Sequence, residues 1–283
     1  DIEAAPVHLV YDKCCELASK LGLRVTGSEV VGMVPRKVLL DAGLYFLKKQ
    51  GVSAGVSESD LIDTAVFSLG LSDVSPFDPK KKIIEERFMK PSPLASMTVA
   101  AFCEELASSS PAPGGGSVAA LSGALSAALS SMVAALTFEK KGYEESRPEM
   151  ERTGTEGHKL LSEQLRAIDD DTFAFNRVMD AFGMPKKTDE QKRARKAAVE
   201  EATKEATLEP LGTLRRALPC LDIAHAAAER GNQNSLSDAG VAGLMARAAA
   251  HGAYYNVLIN LSGISDEKWT ERIREEANAL IGK

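Results

Sequence analysis

One stretch limits what this chain can fold into more than any other. Pro111-Ala112-Pro113-Gly114-Gly115-Gly116-Ser117 is followed, from Val118 to Leu136, by a run built almost wholly of Ala, Ser, Gly and Leu. Glycine accepts positive φ and lets another group approach the backbone closely. Ser117 is a good N-cap residue, and the free N–H groups at a helix start attract anions. The stretch therefore reads as a bare-backbone loop opening a helix with a small-residue surface. A tight turn before a closely packed helix is the plainer reading of the same residues. A phosphate-binding loop is excluded, because no Gly-Lys-Ser/Thr follows and no G-x-G-x-x-G sits after a strand.

Around that element the chain alternates between two characters. Pro6–Leu21 predicts a helix with Val7, Val10, Tyr11, Cys14 and Leu17 on one face. Leu23–Val34 is β-branched and predicts a strand bent at Gly27 and Gly32. Pro35–Lys49 and Ser57–Leu69 predict two more helices, with Ser59 as a cap for the latter. A lone strand is not stable by itself, so residues 1–88 read as a partial α/β subdomain. Pro91-Ser92-Pro93 marks a linker over 89–97. Residues 98–283 then read as pure helix, an antiparallel bundle of five or six helices, so the chain as a whole is mainly α. Pro210 is expected to bend or restart the helix that carries it. The expected core stripes are Leu121, Leu125, Leu129, Met132 and Leu136, then Leu161, Leu165, Ile168, Phe175, Met179 and Phe182. A third is Val241, Met245, Ala248, Tyr255 and Ile259.

Composition removes some functions. The 283 residues carry a net charge of −6 and no dense basic stripe, which argues against nucleic acid as a partner. Lys80-Lys81-Lys82 beside Glu85 and Glu86 reads as a solvated face. The four cysteines and four histidines have no metal-ligand spacing, so no metal is expected. The cysteines suit a reducing compartment, and a cytoplasmic location is expected. Val118–Leu136 is the one membrane-like run, but its serines and alanines make a poor spanning helix.

Two acidic groups could carry chemistry. Asp169-Asp170-Asp171 lies within a long predicted helix, at the edge of its apolar stripe. Successive helical residues differ by about 100°, so Asp170 points away from the stripe while Asp169 and Asp171 flank it. A carboxyl at a core edge loses solvation and its pKa rises, which suits acid–base work near neutral pH. A solvated acidic patch is the alternative. The second group is Asn232, Asn234, Ser235, Ser237 and Asp238, with Ser235-x-x-Asp238 spaced like a capping box. Asp238 shares a face with Val241 and Met245; capping alone would also explain it. His251 reads as a half-buried packing histidine.

The residues then carry a resemblance. Ala112 to Ala120, the acidic run ending at Asp171, Ser237-Asp238 and Tyr255-Asn256-Val257-Leu258-Ile259-Asn260 together resemble the cyclodeaminase/cyclohydrolase family of folate enzymes. The likeness covers about Ser96 to the C-terminus and is nearest to the cyclodeaminase half of the bifunctional formimidoyltransferase-cyclodeaminases. Val25 to Pro35 and Pro76 to Lys80 are similar to the C-terminal subdomain of the formimidoyltransferase half. In that family the transferase's catalytic histidine lies in an N-terminal subdomain that these residues do not match. So transferase activity from this polypeptide alone is not expected, and a separate N-terminal part is an expected partner.

The resemblance implies conversion of 5-formimidoyltetrahydrofolate to 5,10-methenyltetrahydrofolate with release of ammonia, in histidine degradation and one-carbon metabolism. Tetrahydrofolate, polyglutamylated, serves as the substrate carrier, and no metal is needed. Asp171 is the implied catalytic aspartate. Pro113, Gly114, Gly115, Gly116, Ser117, Asn234, Ser237 and Asp238 are expected to meet the substrate, Asp238 by steadying the cationic product. Methenyltetrahydrofolate cyclohydrolase is the nearest alternative. A non-catalytic helical assembly module is the alternative of another class, and in either case a homo-oligomer is expected.

Overall fold

The computed structural model describes residues 2–88 and 92–282. The chain divides into two compact units, Asp1–Pro91 and Ser92–Lys283.

The first unit holds α1 (Val7–Lys20), α2 (Arg36–Gln50), α3 (Glu58–Ser68) and the single turn α4 (Pro79–Lys82). The two middle helices pack through Leu39, Ala42, Phe46, Ile62, Ala65 and Leu69, and Ile83 closes the cluster. Among the described residues there is no strand. The expected strand Leu23–Val34 is irregular, and its single pairing is an isolated parallel bridge from Val34 to Ile83. With no neighbour to share a ladder, β-branched residues alone do not make a sheet, so the α/β description of this region is corrected to helical. The cap of α3 is Ser57 rather than Ser59: its hydroxyl accepts from the Asp60 N–H while the Asp60 carboxylate accepts from the Ser57 N–H.

The second unit is an antiparallel bundle. It comprises α5 (Val99–Leu106), α6 (Gly115–Phe138), α7 (Arg147–Gly183), α8 (Asp189–Arg230), α9 (Leu236–Leu261) and α10 (Glu267–Ile281). Of the expected linker, 89–91 lie outside the described residues. The remainder is held to this unit, since the Leu94 and Ala95 N–H groups donate to the buried Asp169 carboxylate at 2.8 and 3.1 Å.

The packing of α6 inverts the expected stripe. Leu125, Met132 and Leu136 are exposed, whereas Ala119, Ala120, Gly123, Ala124, Ala127, Ser130, Ser131 and Ala134 are buried. The same holds for α9, where Val241, Tyr255 and Ile259 face outward and Ala239, Ala242, Ala246, Ala249, Ala250 and Ala253 face inward. On α7 the buried line runs through Leu160, Gln164, Ala167 and Ile168, and Met179 and Phe182 are exposed. Small residues win the inside because they let the backbones close together. A Cβ on Gly157 would stand 2.2 Å from Ser131 Oγ, and one on Gly252 would stand 3.1 Å from the Ala119 Cβ. The buried hydroxyls of Ser130, Ser131 and Thr137 donate to the carbonyl four residues back, so they need no partner helix. By length and composition α6 could cross a membrane, yet 56% of its most apolar window is buried inside the unit.

Pro210 does not break its helix. α8 runs unbroken for 42 residues with Pro210 and Pro219 inside it. An internal proline leaves the carbonyl four residues earlier without its donor. For Pro210 that carbonyl belongs to Ala206, and it accepts instead from Asn260 Nδ2 of α9 at 3.0 Å. A buried carbonyl left alone costs about 1–3 kcal/mol, so the neighbouring helix removes much of the penalty.

The close packing yields a test. A Cβ on Gly123 would fall 2.4 Å from Gln164 Nε2 and 2.8 Å from its Cδ. Gly123→Leu is therefore expected to overpack the α6–α7 contact and lower unfolding stability by about 1–3 kcal/mol. Denaturant unfolding measures this, and an unchanged midpoint would contradict the packing described.

Candidate active site

The site is built on the first turn of α6. Gly114 caps that helix in an extended conformation, φ −135° and ψ −154°, and Gly115 and Gly116 are already helical. The loop glycines therefore serve close approach and not positive φ, which occurs elsewhere in the chain. A Cβ on Gly116 would lie 2.0 Å from Asp171 Oδ1, and one on Gly115 would lie 3.0 Å from Asn256 Nδ2. Each glycine thus makes room for one polar side chain, from α7 in one case and α9 in the other. Ser117 is not the N-cap. It is buried in the first turn, and its hydroxyl lies 2.8 Å from the Ile168 carbonyl and 3.3 Å from Asp171 Oδ2.

The three aspartates separate as their angular spacing demands. Asp169 is buried and structural, holding the 94–95 turn. Asp170 does not point to water. It is half-buried on the side of α7 that faces α8, where its charge reaches Glu209 and Arg216. Asp171 turns toward the start of α6. Burial pushes its carboxyl above the ordinary carboxylate value, while hydrogen bonds from the Ser117 hydroxyl and N–H oppose the rise.

A further carboxyl was not singled out in the sequence. Glu209 on α8 is half-buried and accepts no hydrogen bond among the described residues. Burial first, and the charge of Asp170 second, raise its pKa. Arg216 lies about two turns further along α8, where burial lowers its pKa. It reaches back over Gly212, whose missing side chain leaves it room, and sits 3.4 Å from Gln164 Oε1. Nothing in the sequence beside Pro210 marked Glu209, because its role follows from the register of α7 against α8.

Asn234, Ser237 and Asp238 are not part of this constellation within one chain. They open α9 beside the far end of α6, where the Asn232 N–H donates to Thr137 Oγ1 at 2.8 Å and Lys140 Nζ donates to Asn232 Oδ1 at 2.5 Å. Ser117 and Thr137 sit at opposite ends of α6, about 30 Å apart at the helical rise of 1.5 Å per residue. Asn234 and Ser237 are exposed and Asp238 is half-buried. Ser235 makes no capping bond; Asn232 caps that turn, accepting from the Asn234 N–H. His251 is half-buried, with its ring tilted against Tyr255. Among the described residues no group of three or more His, Cys, Asp or Glu side chains could hold a metal ion.

The glycine turn thus admits an aspartate from α7 and an asparagine from α9, and the chain as a whole has known relatives. A family model described as formiminotransferase-cyclodeaminase matches residues 98–279, and one described as formiminotransferase domain matches residues 1–89. The chain belongs to the formiminotransferase-cyclodeaminase family.

The relatives divide by length. The formimidoyltransferase-cyclodeaminase of Gallus gallus is 34% identical over 284 residues, covering 99% of this chain and 52% of the relative. That of Dictyostelium discoideum is 37% identical, covering 97% and 51%. The chain therefore spans about half the length of these relatives. The methenyltetrahydrofolate cyclohydrolase of Methylorubrum extorquens is 43% identical over 186 residues, 66% of this chain and 89% of the relative. The crystal structure of formiminotetrahydrofolate cyclodeaminase from Thermotoga maritima superposes with a TM-score of 0.58 at 34% identity, covering 66% of this chain and 91% of that one. The helical bundle is thus the cyclodeaminase fold.

The contact between Gly116 and Asp171 predicts its own disruption. Gly116→Ala is expected to displace the Asp171 carboxyl and lower turnover by about tenfold or more, with the helix itself favoured by alanine. Circular dichroism and steady-state assays separate the two effects; a fully active Gly116→Ala protein would contradict the geometry.

Proposed function

We propose that this chain closes 5-formimidoyltetrahydrofolate to 5,10-methenyltetrahydrofolate and releases ammonia. The observation that carries the reading is Asp171, held in the hollow over Gly116 with its pKa raised by burial. N10 attacks the amidinium carbon, the N10–C bond forms, and the π pair of the C–N bond moves onto the terminal nitrogen. Ionised Asp171 takes the N10 proton and returns it to that nitrogen. The C–N bond then breaks and its electron pair leaves with ammonia, so the delocalised cation keeps the charge the substrate brought. One carboxyl suffices for both transfers if its pKa lies near the working pH, and burial moves Asp171 in that direction. Asp171 must be ionised to begin, so the rate falls as pH drops through its raised pKa.

A second reading has a specific observation behind it. The 43% identity to a methenyltetrahydrofolate cyclohydrolase supports water attack on the ring-closed folate at the same carboxyl. Ammonia release separates the two, and a chain that neither binds nor turns over folates would be an assembly module. In this reading the folate is polyglutamylated, the enzyme is cytoplasmic, and it acts in histidine degradation. The polypeptide alone carries no glutamate-dependent formimidoyl transfer. Its first unit offers His8 alone among histidines, and that ring is stacked on Tyr45 at 4.6 Å.

The chain is further proposed to form a homo-oligomer through the outward faces of α6 and α9. No charged residue occurs between Gly115 and Phe138. Leu125, Met132, Leu136, Val241 and Leu244 are exposed there. Gly240 and Gly243 lie on α9 with open space where a Cβ would be. Glycine inside a helix costs about 1 kcal/mol against alanine, and nothing in the chain uses the room it leaves.

Three outcomes are expected. Asp171→Asn should lower turnover by about 10²–10⁴-fold with folate binding largely kept, and Asp170→Asn should cost little. Ammonia release and methenylfolate absorbance measure both, and a larger loss at Asp170 would overturn the assignment. Met132→Glu is expected to reduce the oligomer size seen by light scattering, and an unchanged mass would refute this face.

A further inference from the structure

We propose that Asn256 is a further substrate-contacting residue of this site, and that it holds the nitrogen that leaves. The assignment rests on the ring-closure reading and deepens it.

Asn256 lies on α9 and meets the first turn of α6 at Gly115, the position next to the one Asp171 meets from α7. Its Nδ2 donates to the Gly252 carbonyl, one turn back on the same helix, at 2.8 Å. That carbonyl can only accept, so the amide nitrogen must face it and the orientation of the group is fixed. Oδ1 accepts no hydrogen bond among the described residues, and it is not among the polar atoms sealed from solvent without a partner. The residue as a whole is half-buried. The edge of the amide lies against bare backbone, since a Cβ on Gly115 would stand 3.0 Å from Nδ2 and 3.5 Å from Oδ1. Consecutive glycines thus admit two groups of different chemistry. Gly116 admits a carboxyl able to exchange a proton, and Gly115 admits an amide that cannot.

The reaction has work for such an amide. The terminal nitrogen of the amidinium carries two N–H bonds and no basic lone pair. When N10 attacks, that nitrogen becomes an amine whose new lone pair must face the proton held by Asp171. An N–H donated to Asn256 Oδ1 sets its orientation. Asn256 gains and loses no proton, so the transfers between N10, Asp171 and the departing ammonia balance without it. A carboxylate in its place would compete for the same proton and raise the pKa of Asp171. The other carboxyls near Asp171 are Asp170 on its own helix and Glu209 on α8, and Ser117 faces it from α6. An amide on α9 leaves that balance undisturbed.

The experiment uses the full chain, with 5-formimidoyltetrahydrofolate as substrate and ammonia as readout. Asn256→Ala should lower kcat by about tenfold to hundredfold while KM stays within about threefold. Asn256→Asp keeps the shape and adds a like charge, so the acid limb of its pH–rate profile should move to higher pH. A parent-like kcat in Asn256→Ala, a loss confined to KM, or an unmoved limb in Asn256→Asp overturns the assignment. Should Asn256→Ala fail to fold, the isosteric Asp variant reads the limb by itself. A parent chain active toward folate with both variants unaffected would sink only the role of Asn256. A parent inactive on formimidoyl and methenyl folates alike would sink the ring-closure reading and this assignment with it.

Discussion

Close approach of α6 to its neighbours is the constraint on which the rest of this structure depends. Its inward face is alanine, serine and glycine, so the backbones of α7 and α9 come near enough for backbone and short side chains to meet. Dispersion then supplies many contacts of about 0.1–0.2 kcal/mol each, in place of a few large side chains. A leucine in that seam would force the helices apart. Moving α7 outward would also withdraw Asp171 from the hollow over Gly116, so core packing and site geometry are one requirement.

The same closeness explains how polar groups survive in the interior. The buried hydroxyls of Ser130 and Ser131 bond back along their own helix, and the Ser117 hydroxyl reaches across to the Ile168 carbonyl. Asn260 satisfies the carbonyl that Pro210 leaves unserved, which lets α8 continue past the proline, so that Glu209 before it and Arg216 beyond it lie on one helix. Cys220 shows the opposite case, a thiol with no chemical task. It is fully buried, burial pushes its pKa up to about 12, and it lies 3.7 Å from the Gly123 carbonyl. At that value it remains a thiol at any physiological pH and behaves as a small packing group.

Much of this was legible in the sequence, and the failures share a cause. The boundaries expected for the first three helices, marked by Pro, Gly and Ser, fell within a residue or two, whereas the restart expected at Pro210 does not occur. The glycine turn was legible as a local motif, whereas the approach of Asp171 to Gly116, 55 residues earlier, is a tertiary contact. The inside of the bundle was not legible. Periodicity ranks residues by hydrophobicity, so Leu125, Met132 and Leu136 outscore Ala124, Ala127 and Ala134, although only the alanines permit the observed spacing. Asp238 was drawn toward the site because adjacency in a motif says nothing about distance along a helix, and α6 places it at the other end. Asn256 was visible as a letter in a motif, but what marks it is the empty position on Gly115, which needs coordinates.

The run Asp169-Asp170-Asp171 shows how one acidic triplet is divided by helical geometry alone. Three identical side chains at steps of about 100° face three different surroundings. Asp169 meets two backbone N–H groups, and its charge is used up in holding residues 94 and 95. Asp170 meets the α8 seam, where Arg216 and Glu209 feel its charge. Asp171 alone meets a bare backbone, where burial raises its pKa by more than two hydrogen bonds from Ser117 lower it. Burial prevails because the hollow over Gly116 partly shields the carboxyl from water, and no cation is among the causes that act on it. An arginine placed there would hold the aspartate ionised and reverse the direction of its shift. The absence of a side chain at one glycine therefore sets both where the carboxyl sits and which way its proton affinity moves.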